Sequence, residues 1–177
     1  MIPPPPTRLV FDFADPSRAA AFAPVDDVVM GGCSASHVAA EAGRLVFTGE
    51  VSLARGGGFA SIRSRPERLG LGGHDGLELR LRGDGHRYKV NLCHEGAQDG
   101  LTWQAPFETV AGDWRELVLP FTAFAPRLRG TPRPEAGPVA PGRLGTLGFL
   151  ISDRQAGPFR LEVEWVSAWA GARPVEG

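Results

Sequence analysis

The chain has 177 residues, a formal net charge of −1 and an apolar fraction of 42%. That length suits a single core, and a near-neutral total charge excludes a global field drawing the chain to nucleic acid or to a membrane surface. Glycine (24) and proline (16) fall between short apolar runs, which favours a turn-rich all-β domain over disorder.

The chain opens on MIPPPP, a stiff, extended Pro-rich arm over residues 1–7. No basic segment followed by an apolar core is found there, so no secretory signal is expected. Nor does any apolar run approach the ~20 residues that cross a bilayer. Cys33 and Cys93 lack a CxxC or zinc-like spacing, so they read as free thiols of a reducing compartment. The expected location is the cytoplasm, without membrane insertion.

RLVFDF follows as an alternating strand with Leu9, Phe11 and Phe13 on one face. DPSRAAAF then predicts a short helix, with Asp15 as N-cap and Pro16 at its first position. The rest is strands divided by glycine and proline: SHVAAEA, RLVFTGEVSL, GFASIRS, DGLELRLRG, HRYKVNLCHE, LTWQAPFET, WRELVLPF, LGTLGFLISD and GPFRLEVEWVSAW. In the last, Phe159, Leu161, Val163 and Trp165 oppose Arg160, Glu162 and Glu164. Such period-two patterning implies sheets with one buried face and one wet face. About ten strands, one short helix and no crossover helices predict an all-β jelly-roll sandwich over residues 8–170. Residues 126–141, with no periodicity, read as a long surface loop, and 171–177 as a tail.

RGDGHRYKVNL holds the chain's only tyrosine and only lysine, and 18 of its 19 basic residues are arginine. Leu77, Leu79 and Leu81 alternate with Glu78, Arg80 and Arg82; beyond the Gly-Asp-Gly turn, Tyr88, Val90 and Leu92 alternate with Arg87, Lys89 and Asn91. A hairpin would set Arg80, Arg82, Arg87 and Lys89 on one shared face. That face is either balanced by carboxylates of neighbouring strands or open to an acidic ligand or partner protein. Tyr88 is in phase with the core set. Asp84 between two glycines suits a tight turn, so Arg-Gly-Asp is not read as an adhesion signal.

In APVDDVVMGGCSAS, Asp26 and Asp27 precede a Gly-Gly turn. The spaced oxygen ligands of a calcium loop are missing, adjacent strand carboxylates point apart, and no P-loop lysine follows. A structural loop is the plainer reading. His37, His74, His86 and His94 are scattered without metal-ligand spacing and read as surface groups.

Six segments occur in order and span most of the chain: DDVVMGGCSAS, GGFASIRS, LRGDGHRYK, WQAPFET, WRELVLPF and GFLISDRQAGPFRLEVEWV. Together they resemble the complex I intermediate-associated protein 30 family. The resemblance implies a galactose-binding-like jelly roll and, from mitochondrial members, assistance in assembling respiratory complex I. A free-standing, bacterial-type version is expected here. The polar positions it marks are Asp26, Asp27, Ser34, Arg63, Arg82, Asp84, Lys89, Gln104, Glu108, Asp153 and Gln155. Phe59, Trp114, Phe149 and Phe159 are expected in the core. The functional expectation is a non-catalytic assembly or scaffolding module with a protein partner and no cofactor or metal. The alternative is a sugar- or small-ligand-binding module using Arg63, Gln104 and Trp103.

Overall fold

The computed structural model describes residues 8–25, 34–54, 57–96 and 100–171. Strand β1 (Arg8–Asp12) leads to helix α1 (Pro16–Ala20), then β2 (Phe22–Pro24), β3 (Ala35–Glu41), β4 (Arg44–Val51) and β5 (Ala60–Ser64). Next come β6 (Gly76–Arg82), β7 (Arg87–His94), β8 (Leu101–Glu108) and β9 (Trp114–Pro120). The short β10 (Ala125–Leu128) and β11 (Thr131–Pro132) precede the long β12 (Leu144–Ile151) and β13 (Gly157–Trp169). The Asp15 carboxylate accepts from the Ser17 backbone N–H at 3.0 Å and caps α1, as its sequence predicts.

Two antiparallel sheets pack face to face. The first has the order β3-β4-β13-β6-β9, with β1 also on β13; the second runs β11-β10-β8-β7-β12-β5-β2. Between them lies the core, with Leu77, Leu79 and Leu81 of β6 opposing Tyr88, Val90 and Leu92 of β7, all fully buried. Phe11, Phe13, Phe22 and Phe149 form one aromatic group; Tyr88 stacks on Phe107 and meets Phe159 edge-on. This is the all-β sandwich that the alternation demands.

The expected β6–β7 hairpin does not form. Each of these strands already has two neighbours: β6 lies between β13 and β9, and β7 between β12 and β8. Gly83–Asp84–Gly85 therefore arches from one sheet to the other. Alternation alone cannot separate a hairpin from an arch, because both put the leucine set and the tyrosine set in the core. What decides it is the set of bonds made by the turn. A Cβ at Gly83 would overlap the Thr109 side chain, and Gly85 has a φ of +94°, open to glycine and strained for other residues. Thr109 accepts from the Gly85 N–H at 3.0 Å and donates to the His86 carbonyl at 2.7 Å.

Asp84 is the hub of this arch. One carboxylate oxygen accepts from the Tyr88 hydroxyl at 2.8 Å and from the His86 N–H at 3.2 Å. The other accepts from the Arg160 backbone N–H of β13 at 2.8 Å and lies 2.9 Å from His86 Nδ1. Burial works to raise its carboxyl, but the contacts from His86, Arg160 and Tyr88 outweigh it and hold the group below its ordinary value of 3.8. For Tyr88, burial and then the Asp84 charge push the phenol far above the usual range, so it stays a neutral donor.

Two expectations about phase change at register irregularities. A register shift between Leu9 and Phe11 turns Leu9 outward to 52% exposure while Phe11 and Phe13 stay buried. A second shift, between Val163 and Trp165, sends Trp165 to the outer face and leaves Val166 and Ala168 in the core. Trp114 also faces outward, opposite Arg82, and Phe59 is only half-buried; Phe149 and Phe159 are core as expected. Residues 126–141 are not structureless. Pro126–Leu128 lie in β10, which pairs with β8, and Pro134–Ala136 form a 3-10 turn.

The hub sets an order of stabilities. Asp84→Ala leaves the buried Tyr88 hydroxyl and two backbone donors short of an acceptor and is expected to cost on the order of 3 kcal/mol, against about 1 kcal/mol for Tyr88→Phe. Urea unfolding of both variants checks this; equal, small losses would mean that the arch is held elsewhere.

Candidate functional site

Because the arch separates the two strands, the four cations expected on one face are divided between opposite sides of the sandwich. Arg80 and Arg82 lie on the outer face of the first sheet, Arg87 and Lys89 on that of the second.

On the first sheet the arginines are fully engaged. Glu162, 5% exposed, accepts from Arg82 at 2.7 Å, Arg44 at 2.8 Å and Arg160 at 3.3 Å. Arg80 pairs with Glu164 at 2.5 Å and Glu116 at 3.5 Å, and Arg160 also reaches Glu41 at 3.2 Å. The Trp114 ring lies under three guanidiniums, those of Arg82, Arg44 and Arg80, at 4.8, 5.2 and 5.3 Å. Four arginines and four carboxylates thus close on themselves around one indole. This is the internally balanced arrangement weighed for the cationic strands, extended by β4 and by Trp114. Glu162 and Glu164 were legible as the polar phase of β13; the role of Trp114 was hidden by its apolar character. A hollow of about 310 Å³ beside it is lined by Leu9, Glu78, Glu116, Trp165 and Ser167.

The second sheet's outer face is different. Its strands carry Arg63, Arg87, Lys89 and Arg127 against a single carboxylate, Glu108. Lys89 is offset by Asp153 of the following turn at 3.3 Å, and Arg127 donates to the Gly130 carbonyl at 3.0 Å. Among the described residues, neither the Arg63 nor the Arg87 side chain makes a hydrogen bond or ion pair. Arg63, Gly148, Asn91 and Gln104 form one row across β5, β12, β7 and β8. Gln104 donates to Thr102 Oγ1 at 3.2 Å. Asn91 is only 8% exposed, and its Oδ1 has no hydrogen-bond partner. Sequence reading passed over Asn91, although it shares the phase of Arg87 and Lys89.

At one end of this face Arg87, Glu108 and Gln155 meet Gly85 and Thr109 around an open groove of about 320 Å³. Gln155 grips β7 by its backbone, accepting from the Arg87 N–H at 2.9 Å and donating to the Arg87 carbonyl at 2.8 Å. The second face and its rim therefore gather Arg63, Arg87, Lys89, Gln104, Glu108, Asp153 and Gln155. Asp84 belongs to the arch, and Ser34 is a buried clamp that accepts from the Ser52 N–H at 2.9 Å. Asp26 and Asp27, with Gly31, Gly32 and Cys33, lie outside the described residues. Trp103 is 3% exposed, donates to the Gly137 carbonyl at 3.1 Å and sits against His94, so it offers no platform. His94 in turn accepts from the Ala140 N–H at 3.1 Å and serves the fold rather than the solvated surface expected of it. His86, against Asp84, does likewise.

The family model for complex I intermediate-associated protein 30 matches residues 11–163. The chain belongs to that family. Mouse complex I intermediate-associated protein 30, mitochondrial, is 32% identical over 97 residues, covering 52% of this chain and 30% of the mouse protein. The Drosophila melanogaster protein of the same name is 26% identical over 184 residues, covering 90% of this chain and 62% of its own length. The chain thus spans less than two thirds of either relative. Among solved structures, a family 11 carbohydrate-binding module from Clostridium thermocellum, in complex with a mixed-linked tetrasaccharide, superposes with a TM-score of 0.64 at 12% identity. That match covers 94% of this chain and 98% of the module. The agarase AgWH50C gives 0.62 at 12% identity, over 94% of this chain and 25% of the enzyme. These two likenesses establish the galactose-binding-like jelly roll that this family member adopts. Among the described residues, no helix is long and apolar enough to cross a membrane.

The charge lattice of the first sheet predicts an acid response. Hydrogen bonding from Arg82, against the opposing effect of burial, holds the Glu162 carboxyl below its ordinary 4.5, with Arg160 adding to it. A depressed folded value means that the stabilisation is complete above 4.5 and is lost as pH falls through the folded value. Thermal unfolding between about pH 6 and pH 3 is expected to show a gap between wild type and Glu162→Gln that closes on acidification. A gap independent of pH would mean that Glu162 acts by packing alone.

Proposed function

We propose that this chain is a non-catalytic binding module that holds a protein partner on the outer face of its second sheet, acting as an assembly factor. The observation that carries this reading is the contrast between the two outer faces. On the first, each of the four arginines pairs with a carboxylate; on the second, among the described residues, the Arg63 and Arg87 side chains form no ion pair and the Asn91 side-chain oxygen has no hydrogen-bond partner. Unoffset charge and an unsatisfied polar group are costly within a fold and become useful when a partner supplies the complement. Family membership supports the assembly role, since the relatives are named for association with a complex I intermediate. A respiratory complex I intermediate is the partner this favours.

A sugar-binding function has the support of fold likeness to carbohydrate-binding modules. Against it, the described strands of the second sheet present no aromatic side chain on their outer face, and so no ring surface for a sugar's C–H groups.

Affinity purification of the tagged chain from its native host, with quantitative mass spectrometry, is expected to recover complex I subunits. The double variant Arg63→Glu, Arg87→Glu is expected to reduce recovery at least about tenfold, while Val118→Glu on the first sheet leaves it intact. Absence of complex I subunits in the wild-type sample, or equal losses from both variants, would remove the reading.

A further inference from the structure

Two register irregularities meet at one place on the outer face of the first sheet. Val10 is the extra residue in β1, between Leu9 and Phe11, and Glu164 is the extra residue in β13, between Val163 and Trp165. These two strands pair with each other. Each bulge turns a large apolar side chain out of the core, and both side chains line the same hollow of about 310 Å³, with Glu78, Glu116 and Ser167. A bulge re-aims a side chain at the expense of regular pairing, and apolar surface left in water gains nothing from the fold. Leu9 stays 52% exposed. Ser167 lies between Leu9 and Glu78 in one row; it is small, and its hydroxyl is held by donating to the Arg8 carbonyl at 3.0 Å.

The charge around the hollow is unbalanced. Among the described residues, the Glu78 carboxylate makes no hydrogen bond or ion pair. Glu116 has only a long contact of 3.5 Å, to an Arg80 that is already bound to Glu164 at 2.5 Å. Asp12 stands beside Trp165 in β1. The Arg8 guanidinium is turned away to the carbonyls of Leu69 and Gly70, and Arg44 and Arg82 are engaged by Glu162. Asp12, Glu78, Glu116 and Glu164 are thus met by one guanidinium. A metal ion has no use for the leucine and the indole, and the described residues hold no group of three or more potential metal-ligating side chains. A sugar can stack on Trp165 but leaves the negative charge unneutralised. A long basic side chain meets both needs: its methylenes pack on Leu9 and the Trp165 ring while its cationic head reaches the carboxylates.

We infer that the hollow between Leu9, Trp165 and Glu78 is a docking site for a lysine or arginine side chain of a basic segment in a partner protein. It lies on the face opposite Arg63 and Arg87 and goes beyond the assembly reading, so that the molecule presents an acidic site on one side and a basic face on the other.

The test is an NMR titration of the full chain with a short Lys/Ser peptide, its lysine-acetylated counterpart and a mixed-linked glucan tetrasaccharide. The expected result is a saturable shift of the Trp165 indole N–H and of the Leu9 and Glu78 backbone amides with the unmodified peptide only. Affinity is expected to fall about tenfold in Glu78→Gln and in Trp165→Ala, and to be unchanged in Glu135→Gln, an exposed carboxylate outside the hollow. Glu78 has no partner to lose, so Glu78→Gln carries the test if Trp165→Ala does not fold. No saturable shift at ~1 mM peptide, equal binding of the acetylated peptide, equal loss in Glu135→Gln, or the same shifts with the sugar would each overturn the site. The double variant Arg63→Glu, Arg87→Glu is expected not to weaken peptide binding; a loss there equal to that of Glu78→Gln would also overturn it. Failure to capture complex I subunits removes the assembly reading without touching this site, and failure of the peptide titration removes this site alone.

Discussion

The Asp84 carboxylate is the fixed point on which the distribution of charge in this molecule depends. It ties a three-residue arch to the Tyr88 hydroxyl in the core and to the backbone of β13 in the first sheet. With those bonds made, the chain leaves the first sheet after Arg82 and enters the second at Arg87. The Arg-Gly-Asp-Gly sequence is thus a crossing between layers. Arginine begins the lattice on one side, glycine lies against Thr109, and aspartate clamps the turn. Its low carboxyl pKa and the raised phenol of Tyr88 are two expressions of one hydrogen-bonded pair in a desolvated setting.

The consequence is two outer faces of unequal chemistry. Around Glu162 and Trp114, each arginine finds a carboxylate within its own sheet, so none of these four guanidiniums is left free. Buried pairs of this kind add little net stability compared with apolar packing, but breaking one leaves a charge stranded. On the opposite face, among the described residues, the Arg63 and Arg87 side chains form no ion pair and Asn91 Oδ1 has no donor. A β6–β7 hairpin would have set four cations on one face; the arch instead leaves Arg80 and Arg82 beside the glutamates of β13 and carries Arg87 and Lys89 to the other sheet.

The fold was readable because period-two alternation survives in nearly every strand. Phe159, Leu161 and Val163 face the core as their spacing requires, and the capped helix at Asp15 sits where its first turn says it should. What alternation could not show was which strand lies beside which. Leu81 and Tyr88 are core residues in a hairpin and in an arch alike, so the partnership of β6 with β13 was not visible until the hydrogen bonds of Asp84 were. Trp165 and Leu9 escaped for a related reason, since an extra residue in a ladder reverses phase without any mark in composition. For the site, Arg63, Lys89, Gln104 and Gln155 were found through family resemblance and do come to one side. Asn91 is an ordinary polar residue in a strand; only its burial and its unpaired oxygen set it apart.

Hydrogen–deuterium exchange of the chain, free and with its purified partner, addresses the central claim that binding belongs to the second sheet. Protection is expected at Ser61–Ser64, Arg87–His94 and Leu101–Glu108, where β5, β7 and β8 present their outer faces. Protection confined to Arg44–Val51 and Trp114–Pro120, on the side of the closed charge lattice, would contradict the account.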